Sequence, residues 1–270
     1  RTSSSAASDV YKRQIHGGAI TENAQLLYSW NEAILKARGP VREALVPGPV
    51  LRGMQAGRLV RFEEIARCAP FIQDSILSIL SERQIQIPEL GGDQAIVFAQ
   101  QGFNFIATSN SLDKGVHEMS AALKRRMNFE RIDPIRDLQD EIAVVYRESA
   151  RLIQLSGVDV KPDPMVIEAL VTIFHELRNG QTLDGRSTDR LAATVMSTAE
   201  AVSVAHAMGV HAYYYREHKM VIDDLVHFLI GAALKDNKED RRRMRHYFDT
   251  EIASKKADYW QKVYQQKNLL

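Results

Sequence analysis

Leu59–Ile65 (LVRFEEI), Phe103–Asn110 (FNFIATSN) and Leu123–Met127 (LKRRM) follow one another within the span Gly57–Met127, and their order decides how the chain is read. The first is an apolar strand running into two acids, Glu63 and Glu64. The second is a strand that ends on a polar residue, Asn110. The third closes a short helix on paired arginines, Arg125 and Arg126. Each piece alone is common: strands run out into polar loops, Asn favours turns, and arginines at a helix C-terminus compensate its dipole by under about 1 kcal/mol. Together they supply three parts that nucleoside-triphosphate hydrolysis needs. Paired acids at a strand end can hold a magnesium shell and polarise a water. An Asn on the neighbouring strand can orient that water, and a projecting arginine can neutralise charge on the transferred phosphate.

The surrounding sequence gives these pieces a setting. Upstream, Thr21–Arg38 has helical periodicity, with Leu26, Leu27, Trp30, Ile34 and Leu35 on one face, Thr21 as cap and Gly39-Pro40 as stop. Pro49–Ala56 predicts a short helix ended by Gly57. Arg58–Glu63 and Asn104–Ser109 predict strands. Between them, Pro70 suits the first turn of a helix reaching Arg83, and Gln84–Ala99 predicts a hairpin around Gly91-Gly92. Phe129–Ile132 reads as a further strand. From Asp137 the strand signals vanish. Asp137–Gln154 and Pro164–Asn179 are helical in period, Ser187-Thr188 opens a long helix to about Met208, and Val221–Leu234 is amphipathic. The charged run Lys235–Arg245 leads into one final helix holding Phe248, Ile252, Tyr259 and Trp260. A strand-bearing half followed by a helical half predicts two domains, divided near Pro134–Asp137.

Composition excludes several classes. With 45% hydrophobic and 26% charged residues, the 270-residue chain can bury an ordinary globular core. A net charge of +1 gives no bulk field that demands nucleic acid or anionic lipid. A single cysteine, Cys68, excludes an internal disulfide framework. No run approaches the length of a membrane span and no signal peptide is visible, so a cytoplasmic location is expected.

These residues carry a resemblance to a known family. GPVLRGMQAGRLVRFEEIARCAPFIQDSILSILSERQIQIPELG (Gly48–Gly91) resembles the AAA+ ATPases of the MoxR and dynein-related branch, from the helix before their Walker B strand to the hairpin ahead of sensor 1. GFNFIATSNSLDKGVHEMSAALKRRM (Gly102–Met127) is similar to their sensor 1 strand and arginine-finger helix. The likeness runs over about Ile15–Leu234 and is greatest to bacterial MoxR-type ATPases encoded beside von Willebrand A-domain proteins. It implies an α/β P-loop NTPase (AAA+) core followed by an all-helical lid. Residues 15–135 are then expected as core, 136–234 as lid and 235–270 as a charged helical extension. Residues 1–14 (RTSSSAASDVYKRQ) lack hydrophobic periodicity and are expected to be a non-native or disordered tail. No G-x-x-x-x-G-K-[ST] occurs in the 270 residues, so the core is expected to be N-terminally truncated, without its Walker A loop.

The resemblance also implies roles. Glu63, where most relatives carry Asp, would hold Mg2+ through water, and Glu64 would activate the attacking water. Arg61 departs from the usual unbroken apolar strand. Asn110 matches sensor 1, which positions the water. Arg126, one residue before the bulky Met127, matches the finger given to a neighbouring subunit, with Arg125 as the alternative. Arg190 sits where a first helical turn disfavours a cation; it matches sensor 2, a lid arginine on the γ-phosphate, with Arg186 as the alternative. ATP and Mg2+ are the implied ligands. Other candidates carry less. The eight histidines lack metal spacing, and Arg241, Arg242, Arg243 and Arg245 beside Lys238, Glu239 and Asp240 read as a solvated helix face. Nothing near Cys68 would lower its pKa, and Tyr213–Tyr215 read as core and rim aromatics.

The expected function is that of a chaperone-like ATPase. It would hydrolyse ATP in a homo-oligomeric ring, expected as a hexamer, and remodel or mature a protein, with a von Willebrand A-domain protein as the implied partner. Two alternatives remain: a helicase-like AAA+ ATPase acting on nucleic acid, and a non-catalytic nucleotide-responsive scaffold. The Gln84–Ala99 hairpin carries Glu89 and Asp93, with only Arg83 at its base, which suits a protein better than a polyphosphate backbone. Without a phosphate loop, the 270 residues alone are expected to be inactive.

Overall fold

A computed structural model describes residues 14–110, 117–188, 196–234 and 237–270. The chain divides into two compact units, Arg1–Glu130 and Arg131–Leu270, just ahead of the expected Pro134–Asp137 boundary.

In the first unit, β1 (Gln14–His16) is followed by α1 (Asn23–Leu26), β2 (Tyr28–Trp30), α2 (Glu32–Arg38), β3 (Leu45–Pro47), α3 (Pro49–Ala56) and β4 (Leu59–Glu63). Then come α4 (Pro70–Asp74), α5 (Leu77–Glu82), β5 (Gln84–Gln86), β6 (Ile96–Phe98), β7 (Asn104–Ala107) and α6 (Ala121–Lys124). The central sheet is parallel, in the order β1-β4-β7, with Gln14 opposite Arg61 and Leu59 opposite Asn104. Alternation along β4 buries Val60 and Phe62 and leaves Leu59 and Arg61 exposed. The buried side packs with Leu51, Met54, Ile72 and Ile76 in one apolar cluster. Gln14, grouped from its sequence with the tail, instead pairs in the sheet opposite Arg61.

Several expected elements are broken by tertiary pairing. Thr21–Arg38 is not one helix. Glu22 rather than Thr21 caps α1, in a reciprocal pair with Gln25. The chain then extends so that β2 pairs antiparallel with β3, and Asn31 caps α2 through Ile34 N (3.2 Å). The helix expected from Pro70 to Arg83 is likewise two, divided at Ser75–Ile76, where the Ser75 hydroxyl donates back to Ile72 O (2.7 Å). The hairpin forms as β5 against β6, with Gln84 opposite Phe98. Phe129–Ile132 forms no strand. It has no pairing neighbour among the described residues, and its apolar residues Phe129 and Ile132 are exposed.

The second unit consists of helices α7 (Leu138–Leu155), α8 (Pro164–Asn179), α9 (Thr198–Tyr215), α10 (Leu225–Ala233), α11 (Lys238–Thr250) and α12 (Asp258–Gln265). Among its described residues the extended structure is one bridge, Gln181 with Ser187. Asp137 caps α7 and Asp163 caps α8, whose end is Gly180 at φ 69°. The long helix expected from Ser187-Thr188 begins at Thr198 instead. Ser187 is held in the bridge, Met196 has φ 51°, and a Ser197–Glu200 capping box starts α9, which continues past Met208 to Tyr215. The single C-terminal helix is also two: α11 ends at Thr250, a short 3-10 turn spans Ile252–Ser254, and α12 follows. Phe174, Leu177, Met208, Leu229, Tyr247 and Phe248 lie in its buried core.

Candidate functional site

The sheet carries its polar residues where a parallel sheet binds ligands, at the carboxyl ends of its strands. Glu63 is the last residue of β4. Its side chain is 12% exposed and its oxygens are occupied. Oε1 pairs with the guanidinium of Arg61, two residues earlier on the same strand, and lies 3.5 Å from Gln14 Nε2 on β1. Oε2 accepts from the Thr108 hydroxyl at 2.5 Å. Glu64 leaves the strand in the left-handed region, at φ 53° and ψ 48°. An L-residue there is strained, and such strain collects at functional sites. Its backbone N–H donates to Thr108 Oγ1 (3.0 Å), and its half-exposed carboxylate pairs with Arg67 (2.9 Å). The two acids are therefore given different surroundings by a turn rather than by strand pleating.

Thr108 also joins the two strand ends through its backbone. Its N–H donates to Phe62 O (2.8 Å), and its carbonyl accepts from Ile65 N–H (3.0 Å). Sequence reading passed over this residue. A Thr two positions before a chosen Asn looks like ordinary strand composition, and its partners lie 44 and 45 positions away. Gly17 was also missed. It is buried after β1, and a Cβ there would collide with the Glu64 carbonyl oxygen. Arg61, by contrast, was visible as a charge interrupting an apolar strand.

Asn110 lies beyond β7 in an exposed loop, close in sequence to the acid-binding Thr108. Arg125 is the C-cap of α6. Arg126 is drawn back: its Nε bonds the Ser81 hydroxyl, and Nη1 donates to Ala122 O (2.9 Å). Beside it, Arg83, Phe103, Phe105 and Met127 help line a cleft of about 300 Å3. Arg190 lies outside the described residues. Arg186, its alternative, belongs to the second unit, where it pairs with Glu251 (2.9 Å).

Among the described residues no three or more His, Cys, Asp or Glu side chains gather as a metal cage. The donor set fits magnesium of another kind, one that keeps its waters and takes one or two carboxylates alongside substrate phosphates. Glu63 would be that carboxylate, with Arg61 its present counter-ion, while Glu64 turns away to pair with Arg67. Burial pushes the Cys68 thiol up to about 11, so it is no nucleophile at neutral pH.

The second unit contains buried charges that periodicity could not reveal. Glu141 on α7 is fully buried and accepts from Arg178 Nη1 (2.9 Å) and Nη2 (2.6 Å), and from Thr198 Oγ1 (2.7 Å). Arg178 also donates to Met196 O (3.0 Å), so α7, α8 and the start of α9 meet at one ion pair. Burial alone would raise the Glu141 carboxyl; the Arg178 and Thr198 hydrogen bonds and the Arg178 charge outweigh it and hold the group below the usual carboxylate range.

Comparison with known proteins places this geometry. Residues 8–127 match the AAA domain of the dynein-related subfamily, and residues 139–270 match the YehL-like AAA+ ATPase C-terminal domain. The chain is 47% identical over 257 residues to YehL of Escherichia coli (strain K12), covering 95% of this chain and 70% of that one. It is 29% identical over 160 residues to the gas vesicle ATPase GvpN1 of Halobacterium salinarum, covering 59% of this chain and 42% of that one. Among solved structures, NtrX from Brucella abortus in complex with ATP has a TM-score of 0.51 at 14% identity, over 89% of this chain and 50% of that chain, a likeness of fold. On its sequence identity to YehL and the two family matches, the chain belongs to the YehL-like AAA+ ATPases, with a core of the dynein-related kind.

Proposed function

We propose that the protein is an ATP-hydrolysing machine of MoxR type, in which the acidic turn after β4 is the hydrolytic centre. Glu64 takes the proton of the attacking water, Asn110 orients that water, and Glu63 holds the magnesium shell. Magnesium, when bound, neutralises charge on the phosphates. Arg126 serves the site of a neighbouring subunit, and Arg190 senses the γ-phosphate from the lid. The observation that carries this reading is the hydrogen-bonded junction of Glu63 and Glu64 with Thr108, two residues before Asn110, on an AAA+ core. The unpaired geometry of a plain strand end would give no reason for a left-handed Glu64.

In this reading the strand-bearing unit, with Gln14 in its sheet, is the ATPase core, and the helical unit from Arg131 supplies the lid, its residues 235–270 forming a charged extension. A ring, expected as a hexamer, would deliver Arg126 between subunits, and the work done would be remodelling of a protein, for which a von Willebrand A-domain protein is the proposed partner. The hairpin supports a protein over a nucleic acid. Glu89 near its tip accepts from Tyr28 OH (3.1 Å), Ile96 and Phe98 on β6 are 38% and 63% exposed, and residues 84–99 contain no Lys or Arg, a surface poorly suited to a polyphosphate backbone. No helix among the described residues is long and apolar enough to cross a membrane; a cytoplasmic location is part of the proposal.

The 270 residues contain no lysine-bearing phosphate loop, and two acids alone repel a polyphosphate. The chain by itself should therefore show no measurable ATPase activity. Calorimetry with Mg2+ and ATP tests this: binding weaker than the millimolar range is expected, and a micromolar Kd would mean that the nucleotide sits elsewhere.

A further inference from the structure

We propose that Thr108 is a positioning residue that couples the two acids, so that whatever engages Glu63 is felt at the backbone of Glu64. The direction of its bonds is fixed by chemistry. The Glu64 N–H can only donate, so Thr108 Oγ1 must accept from it at 3.0 Å. An ionised Glu63 carboxylate can only accept, so the single hydroxyl proton points to Oε2 at 2.5 Å. A hydroxyl that donates to a charged acceptor becomes a better acceptor itself, because such chains polarise one another. Glu63, Thr108 and Glu64 therefore form one directional relay.

The relay acts on the residue with most to gain from it. Glu64 sits at φ 53°, a region that its side chain disfavours, and Thr108 holds it from both sides. Its side chain takes the Glu64 N–H, while its own N–H and carbonyl bind Phe62 O and Ile65 N–H on either side of the acids. With Arg61 paired to Glu63 Oε1, the carboxylate's other oxygen remains committed to Thr108. Glu63 would hold the metal shell in place of Arg61, and any change in the charge its carboxylate carries would alter how strongly Oε2 accepts from the Thr108 hydroxyl, and through that hydroxyl the hold on the Glu64 N–H. Thr108 thus passes the state of the metal-holding acid to the water-activating one.

The inference rests on the ATPase reading, and two substitutions separate them. Thr108→Val keeps the shape and removes the hydroxyl; Thr108→Ser keeps the hydroxyl. Steady-state ATPase is measured in a version of the protein extended to the length of its Escherichia coli relative. Thr108→Val should lower kcat by about tenfold or more with KM changed by less than about threefold, and Thr108→Ser should restore most of that loss. In parallel, hydrogen exchange on the 270-residue chain should show the Glu64 amide opening about tenfold faster in Thr108→Val, with the Ile65 amide, which bonds the Thr108 backbone, changing by less than about threefold. Equal losses of kcat in both variants, a kcat in Thr108→Val within about threefold of wild type, or an unchanged Glu64 amide each overturn the proposal. A wild type without turnover would reject the ATPase reading instead, and the exchange comparison would still decide the relay.

Discussion

Gly17 is packed against the carbonyl oxygen of Glu64, so closely that no side chain fits between the end of β1 and the acidic turn. The first acid is held separately, by Gln14 on β1 and by Thr108 just past β7. Gly17→Ala should force the turn to move and destabilise the chain by about 1–3 kcal/mol, as overpacking does. Gly18→Ala is the control: its Cβ would meet only Arg67 Cδ at 3.8 Å, and its effect should stay within about 0.5 kcal/mol. Urea unfolding of the two variants, read as midpoint at constant slope, checks both.

The left-handed Glu64 makes stability and activity separable. Relieving an L-residue of that conformation gains about 1–2 kcal/mol, while glycine costs roughly 0.5–1 kcal/mol in chain entropy. Glu64→Gly should therefore be as stable as wild type or slightly more so, although it removes the proposed base. A lower unfolding midpoint for Glu64→Gly than for wild type would show that the turn is not strained by its side chain.

The Glu141–Arg178 pair predicts how the second unit responds to mutation and to acid. Removing one partner strands a buried charge, so Arg178→Met should cost about 3–5 kcal/mol. A carboxyl held below its usual range binds fewer protons when folded than when unfolded. Its contribution is full above the unfolded Glu value of about 4.3, declines as pH falls below that value, and is gone once pH passes below the folded value. Unfolding midpoints measured from pH 7 to pH 3 should fall less steeply for a Glu141→Gln variant than for wild type. Parallel curves would remove Glu141 from the account.

How much of this was legible in the sequence depends on the range of the interactions. Pro49–Ala56 and Pro164–Asn179 were bounded correctly, because Pro at the first turn and Gly after the last are local signals. Thr21–Arg38 failed for the opposite reason: its helical period was genuine, but pairing of Tyr28–Trp30 with Leu45–Pro47 won over it. The acids of the site were visible as a strand end. Thr108 and Gly17 were not, since both act across strand neighbours whose register no local pattern reports. Glu141 and Arg178 lie on helices whose period is plain in the sequence, but only packing shows that the two face each other inside.

Arg126 is expected to act in trans. In the single chain it is tied to Ser81 and to Ala122 O, so it must swing out to serve a neighbour. Mixing Arg126→Ala subunits with Glu64→Gln subunits of the extended protein should recover part of the activity that each lacks alone, at interfaces that pair an intact finger with an intact base. No recovery at any mixing ratio, with both variants assembling normally, would place the finger elsewhere.

Glu64 as the base of an ATP-hydrolysing site is tested by measuring phosphate release and nucleotide retention side by side in the extended protein and its Glu64→Gln variant. The amide keeps the size of the side chain but cannot take the water's proton. Wild type should turn over, while Glu64→Gln should keep ATP bound and lose turnover by about two orders of magnitude or more. If Glu64→Gln retained more than about a tenth of wild-type hydrolysis, the base would lie elsewhere and the account of the acidic turn would be wrong.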